Sequence, residues 1–289
     1  MGELRPSPVF LCPVRVCFRV MICDFFPVTI LSGQALTGMP AGTMWITTNI
    51  QDLIVGQVPA YLIIGQGRVA RHMGRYLTLL NIPFTTWHRA EPPADLTARA
   101  RAATHILVLI RDGAIEPFVH EHLRDLPVVK IHFSGALATP AAVGAHPLMT
   151  FGDDLYTLEK YKSIPFVLDE GAPDMSELLP GLSNPSVRLP AAQKAKYHAM
   201  CVLAGNFSCL LWQKFFSTLT TEFHFPPGFG IPYLLQQAEN IARDPASALT
   251  GPLARGDDVT LAKNIQALEG DAFQAVYKSF VDAYRKERP

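Results

Sequence analysis

The stretch Tyr61-Leu-Ile-Ile-Gly65-Gln66-Gly67-Arg68-Val69-Ala70 decides how the rest of the chain is read. Its opening apolar run predicts a short buried strand. Gly65 and Gly67 predict a tight turn, and the residues from Arg68 to Leu80 predict a helix. Strand, glycine turn and helix N-terminus make the layout in which backbone N–H groups meet the pyrophosphate of a dinucleotide. Gly65 permits the turn, Gly67 lets backbone approach a phosphate, and Ala70 lets the helix sit close on the strand. Gln66, Arg68 and Val69 complete the expected cofactor-binding turn.

Past this helix, strand and helix alternate. Ile82–Trp87 predicts a second strand, Leu96–Ala103 a short helix and His105–Ile110 a third strand. A helix running to Leu126 precedes a fourth strand near 128–133, and a short strand is expected at 142–145. Ser163–Leu168 is expected to be the last strand, with residues 169–190 crossing into a new region. Such alternation predicts a mostly parallel, doubly wound α/β sheet covered on both faces, over residues 59–170. At the end of the second strand an NAD site carries an acid for the ribose hydroxyls. Here stand Trp87, His88 and Arg89, so His88 and Arg89 suit a 2′-phosphate and favour NADP over NAD.

Ligands of such sheets bind beyond the carboxyl ends of the strands. Ser134 and Gly135 lie at one such end, Ser134 as a cofactor contact and Gly135 as a substrate contact. His146, fixed by Pro147, lies at another, and histidine handles protons near neutral pH. His120 and His122, two apart on a helix, point to different sides, and no metal site is expected there.

Residues 190–289 are predicted to be all helical. Ala191–Phe223 lacks proline and is apolar around most of its circumference, with Met200, Leu203, Phe207, Leu210, Trp212 and Phe215 among its members. A helix apolar all round is expected to be buried, by its own domain, a second subunit or both. Lys194 and His198 share one face, and Lys196 points away. Asn206, a second candidate substrate contact, lies about 18 Å along the axis from Lys194. Further helices are expected over 231–242, 259–268 and 272–286, the last two capped by Asp257 or Asp258 and by Asp271.

Composition sets outer limits. The 289 residues are 49% hydrophobic and 17% charged, with 25 basic against 25 acidic side chains. That suits one large or two modest domains and leaves no basic footprint for nucleic acid. Residues 1–58 are expected to be a poorly ordered extension, and a start at Met39 or Met44 would account for them. Arg15, Arg19 and Asp24 interrupt the apolar run there, which argues against both a spanning helix and a signal peptide. Cys12, Cys17 and Cys23 lack a fourth metal ligand at a usual spacing. The five cysteines are too sparse for a disulfide framework and fit a reducing cytoplasm.

Three stretches taken together carry a resemblance. They are Gly65–Ala70, then His132–Leu137 with His146-Pro147-Leu148, then Lys194-Ala-Lys-Tyr-His198 with Leu249–Asp257. From residue 59 onward the chain resembles the Rossmann-like proteins that carry a DUF2520 C-terminal domain. The resemblance implies a Rossmann domain followed by a helical domain like that of 6-phosphogluconate dehydrogenase and pyrroline-5-carboxylate reductase, and dimerisation through those helices. His146-Pro147 is similar to the His-Pro segment of prephenate dehydrogenases, where the histidine accepts a hydroxyl proton. Lys194 and His198 are similar in placement to the Lys-x-x-x-Asn of β-hydroxyacid dehydrogenases, with histidine in place of asparagine.

The expectation is an NADP-dependent oxidoreductase, cytoplasmic and homodimeric, that passes hydride between nicotinamide and a small carbonyl, imine or hydroxy compound. Lys194, His198 or His146 would handle the proton. The alternative is a non-catalytic NADP-binding sensor or partner-binding dimer, and a third reading is a sheet of this type holding another nucleotide or none. No membrane association is expected.

Overall fold

The computed structural model describes residues 59–287. The expectations for residues 1–58, the cysteine trio and the late start included, lie outside the described residues. The strands are β1 (Tyr61–Ile64), β2 (Phe84–Trp87), β3 (His105–Val108), β4 (Val129–His132), β5 (Val143–Pro147), β6 (Phe166–Asp169) and β7 (Ser186–Leu189). Threaded between them are α1 (Arg68–Leu79), α2 (Pro93–Ala102), α3 (Asp112–His122), α4 (Leu158–Lys162) and α5 (Met175–Leu178). The sheet runs in the order β2-β1-β3-β4-β5-β6-β7. All neighbours are parallel except β5 and β6.

Both faces are covered, because β1 and β3 are apolar at nearly every position and successive side chains alternate sides. Tyr61, Ile63, Leu107 and Ile131 pack with Ala70, Met73, Tyr76 and Leu77 of α1. Leu62, Ile64, Ile106 and Val108 pack with Leu96 and Ala100 of α2 and with Ile115 and Val119 of α3. α1 buries residues spaced three and four apart, and it stops where Asn81 takes a left-handed backbone, φ 56°. Tyr76 and Tyr161 stack beneath it, and Asn184 bonds both the Tyr76 hydroxyl and the Tyr161 carbonyl.

One expectation about the sheet needs correction. β6 is not the last strand: β7 lies inside the stretch read as a crossing and pairs parallel to β6. β7 is an edge strand with little burial, so it lacks the apolar signature that marks a strand in sequence. β6 also runs antiparallel to β5, a direction that hydrophobic pattern does not encode.

After Pro190 the chain is helical: α6 (Ala191–Cys201), a π-helical segment (Val202–Phe207), α7 (Ser208–Thr221), α8 (Ile231–Arg243), α9 (Pro252–Arg255), α10 (Asp258–Ala267) and α11 (Phe273–Glu287). Asp257 caps α10 through the Thr260 N–H, and Asp271 accepts the Phe273 N–H. Of the burial expected for the long helix, the share from its own domain is absent. No residue of α7 is buried within the chain, and Leu203, Leu210 and Leu211 stand in the open. The physical reason is the lack of a covering layer. Beyond residue 190 the buried apolar side chains are Ala248, Leu261 and Val281, against more than two dozen in the sheet half of the described residues. Among the described residues no helix is long and apolar enough to cross a membrane.

Candidate functional site

Strand register lines up one rim of the sheet. Ile64 lies level with Trp87 and Val108, Val108 with His132, and His132 with Gly144. Because β6 is reversed, its last residue, Asp169, returns to this same level. β7 runs with β6 and ends opposite Asp169 at Leu189. Pro190 alone separates that end from α6, so the first turns of α6 stand over the carboxyl ends of the parallel strands. The antiparallel step is therefore what delivers the helical half to the rim where ligands of such sheets bind.

At one end of the rim is the glycine turn. Gly65 has φ 125°, and a Cβ there would collide with the Leu109 carbonyl oxygen, so the turn admits no other residue. Gly67 caps α1 with no side-chain hydrogen bond, which leaves the first N–H groups of the helix without a side-chain acceptor. A Cβ on Gly67 would meet nothing within 4 Å, so the chain's own packing does not call for glycine there. Gln66, Gly67 and Arg68 are exposed, Val69 is half-buried and Ala70 packs into the core. Arg68 pairs with Asp153 at 3.2 Å, and Arg71 donates to the Asp153 carbonyl at 3.1 Å. The loop bearing Asp153 is fastened from below by His72, fully buried, which bonds Gly152 O at 3.0 Å and the Tyr161 hydroxyl at 2.9 Å.

At the end of β2, Arg89 is exposed and makes no ion pair among the described residues. His88 donates its backbone N–H to the Glu91 carboxylate at 3.0 Å, and Arg99 holds the same carboxylate at 2.7 Å. In sequence Glu91 merely opens a proline-rich loop, and nothing there marks it as a partner of the strand end. The fold turns it back onto that end.

Two strand spacings along the rim, about 10 Å, a second cluster gathers around Gly135. A Cβ on Gly135 would sit 2.7 Å from His198 Cδ2 and 3.1 Å from His146 Nε2. The rings of His146 and His198 meet edge to face, 6.1 Å between centroids. Tyr197, from the same turn of α6, places its hydroxyl 2.8 Å from His146 Nδ1. Burial, then His198, then Lys194 hold His146 down to about 4 from the ordinary imidazole value, so it is neutral at physiological pH. Burial pushes the Tyr197 hydroxyl up, with Cys201 adding to the effect, so it keeps its proton.

Beside these rings lies an ion pair, buried at its lysine and half-buried at its carboxylate. Lys194 Nζ donates to Asp169 Oδ1 at 2.5 Å, and the Gly144 N–H donates to Asp169 Oδ2 at 2.6 Å. A Cβ on Gly144 would fall 2.6 Å from both Nζ and Oδ1, so the ammonium crosses β5 only where the strand lacks a side chain. His132 is level with Gly144 and has no exposure. Its Nδ1 accepts the Ser134 N–H at 3.2 Å, while Nε2 has no partner among the described residues. Burial first and Lys194 next depress His132 to about 4.

Of the residues marked in sequence, Lys194, His198, His146 and Gly135 come together. Ser134 lies beside them with its hydrogen bonds spent: its hydroxyl donates to Asp112 at 2.5 Å and accepts from Leu137 N at 3.0 Å and Ala136 N at 3.3 Å. Asn206 is exposed on the π-helical segment, about 12 Å along the helix from His198. Tyr197, Asp169 and His132 carry no such mark. Tyr197 stands in the quoted Lys194–His198 stretch, but nothing in sequence indicates that β6 would bring Asp169 to it.

Residues 168–284 match the family model described as a domain of unknown function, DUF2520. The match opens at β6, so Asp169, Lys194, Tyr197 and His198 all fall within it. No protein with a curated description matches the chain. Among solved structures, a candidate NADP oxidoreductase of Bacteroides fragilis aligns at 17% identity over 79% of this chain and 98% of its own, with a TM-score of 0.64. An imine reductase of Streptomyces aurantiacus aligns at 14% identity, covering 78% of this chain and 93% of its own, TM-score 0.53. A reductive aminase of Aspergillus terreus, solved with NADPH and ethyl levulinate, aligns at 14% over 80% and 95%, TM-score 0.50. At these identities the likeness establishes the fold: a Rossmann-type sheet followed by a helical region.

Proposed function

We propose, from a chain in which residues 168–284 match the DUF2520 family model and follow a Rossmann-type sheet, that the protein is an oxidoreductase dependent on a nicotinamide dinucleotide, with NADP preferred. The observation that carries this reading is geometric. The open glycine turn and the Gly135–His146–His198 cluster occupy one rim of one sheet. The folds of the Bacteroides, Streptomyces and Aspergillus proteins, whose names give NADP, imine reduction and NADPH, support the same reading.

The turn fits the cofactor. Glycine at 67 leaves room for a phosphate that a side chain would occupy, and the uncapped N–H groups of α1 provide its donors. Arg68 is close by, and Arg89 would take the 2′-phosphate. When bound, the nicotinamide supplies the hydride; the protein's part is to place the partners and manage one proton. A small carbonyl, imine or hydroxy compound is assigned to the rim beside His146 and His198, whose rings close on Gly135 too tightly for a β-carbon there. His198 is assigned the proton, because His146 is held neutral. Lys194, tied to Asp169, is a positioning residue that sets the first turns of α6 over the rim. The exposed apolar face of α7 and α8, with the π-helical segment before them, has Leu203, Leu210 and Leu235 among its members. It is assigned to a second copy of this chain, which makes the protein a homodimer.

Titration with NADPH and NADH, followed by nicotinamide fluorescence, tests the first step. Saturable NADPH binding, weakened roughly tenfold relative to NADH by Arg89→Ala, is the expected result, and no binding of either cofactor overturns the reading. Cofactor oxidation against carbonyl and imine panels tests the second. His198→Ala is expected to lose about a hundredfold or more in turnover with NADPH binding retained. Binding without turnover of any panel member would instead favour a cofactor-dependent sensor.

A further inference from the structure

The geometry points to a role for Tyr197 that rests on the oxidoreductase reading only for the identity of the ligand. We propose that Tyr197 is a positioning residue that fixes the His146 ring as its Nε2–H tautomer, so that a carbonyl oxygen or imine nitrogen brought to the rim meets a neutral hydrogen-bond donor.

The hydroxyl of Tyr197 is 2.8 Å from His146 Nδ1, so one proton lies between them. Two arrangements share that distance, O–H donating to nitrogen or N–H donating to oxygen. Imidazole nitrogen is the better base, and a phenol oxygen is the poorer acceptor because its lone pair is delocalised into the ring. The Cys201 thiol, the other group near the Tyr197 hydroxyl, is a weak acceptor. The phenol proton therefore belongs to the bond with Nδ1. A neutral histidine that accepts at one nitrogen carries its hydrogen on the other. Nε2 is the atom that a Cβ on Gly135 would approach to 3.1 Å. The donor thus lies on the side of the ring that faces Gly135 and His198, where only a residue without a side chain fits.

The consequence is a division of labour between the rings. His146 polarises the acceptor atom without changing its own charge, and His198 exchanges the proton. An acceptor at the reacting atom is what a ketone, aldehyde or imine presents. A protonated amine presents only donors there and meets Nε2–H as a mismatch.

The test uses the full chain labelled with 15N at histidine. In the wild type at pH 7, His146 is expected to show Nδ1 in the unprotonated range and Nε2 in the protonated range, assigned by loss of the signals in His146→Gln. Tyr197→Phe is expected to move both nitrogens toward the average of the two tautomers, while the signals of buried His72 stay in place as a control for folding. A wild-type ring protonated on Nδ1 overturns the proposal. So does a Tyr197→Phe spectrum in which both His146 nitrogens stay where they were. Neither measurement needs cofactor or substrate, so a protein that fails to bind NADPH loses the oxidoreductase reading and leaves this result standing. Should the variant not fold, the wild-type tautomer alone decides.

Discussion

At the scale of single residues, Gly144 lets the ion pair beside the site exist. Its missing methyl is the gap through which the Lys194 ammonium reaches Asp169. The two partners are unequally sheltered, with side-chain exposures of 6% for Lys194 and 27% for Asp169. Removing either leaves the other without its counter-charge, but a stranded ammonium is cut off from water, whereas a stranded carboxylate keeps the Gly144 N–H and some solvent. Asp169→Asn is therefore expected to destabilise by about 3 kcal/mol and Lys194→Met by less, read as urea midpoints. The reverse order would show that the sheltering argument is wrong. The buried histidines make a second prediction. His132 and His146 are each held to about 4, against roughly 6.5 in an unfolded chain. Between those values the unfolded state binds more protons than the folded one, so stability falls as pH drops from 6.5 toward 4 and is complete above 6.5. Urea melts at pH 7, 5.5 and 4.5 measure it, and His132→Gln should flatten the slope.

Among elements, β1, α1 and β3 are plain in sequence, because an unbroken apolar run ending in glycine or before a polar turn has few other meanings. Legibility ends where burial ends. Ser186–Leu189 forms an edge strand on exposed residues and gives no alternation to detect. The site is legible as a set of residues, Gly135, His146, Lys194 and His198, but not as an arrangement, since reversal of β6 decides which side chains meet and sequence pattern is blind to strand direction. The π-helical segment Val202–Phe207 is equally invisible, because a wider turn uses no special residue. It fixes the phase of α7 relative to α6. Deleting Gly205, exposed within it, should restore ordinary helical bonding with α7 kept in phase, because the wide turn absorbs about one residue. The expected result is an unchanged oligomeric state by light scattering.

For the whole molecule, the contrast between halves matters most. The sheet half buries apolar side chains on both faces, while the helical half keeps Leu203, Phe207, Leu210 and Leu235 in the open. Exposed apolar surface on this scale marks an interface. Sequence pattern alone predicts burial there because it counts apolar residues and not the layers available to cover them. Leu210→Glu, placed in the middle of this face, should turn the proposed dimer into a monomer in light scattering at micromolar protein, with the proposed NADPH binding at the glycine turn lost by no more than a few-fold. A variant that stays dimeric would place the contact between copies elsewhere.

Between β7 and α6 stands a single residue, Pro190, with φ −58° and ψ 140°. The helical roof is joined to the sheet by this one stiff link, and the Lys194–Asp169 clasp closes across it a turn later. A rotation of α6 away from the sheet about Pro190 would have to break that clasp. A substitution in either charge would then alter both the seating of α6 and the surroundings of His132 and His146.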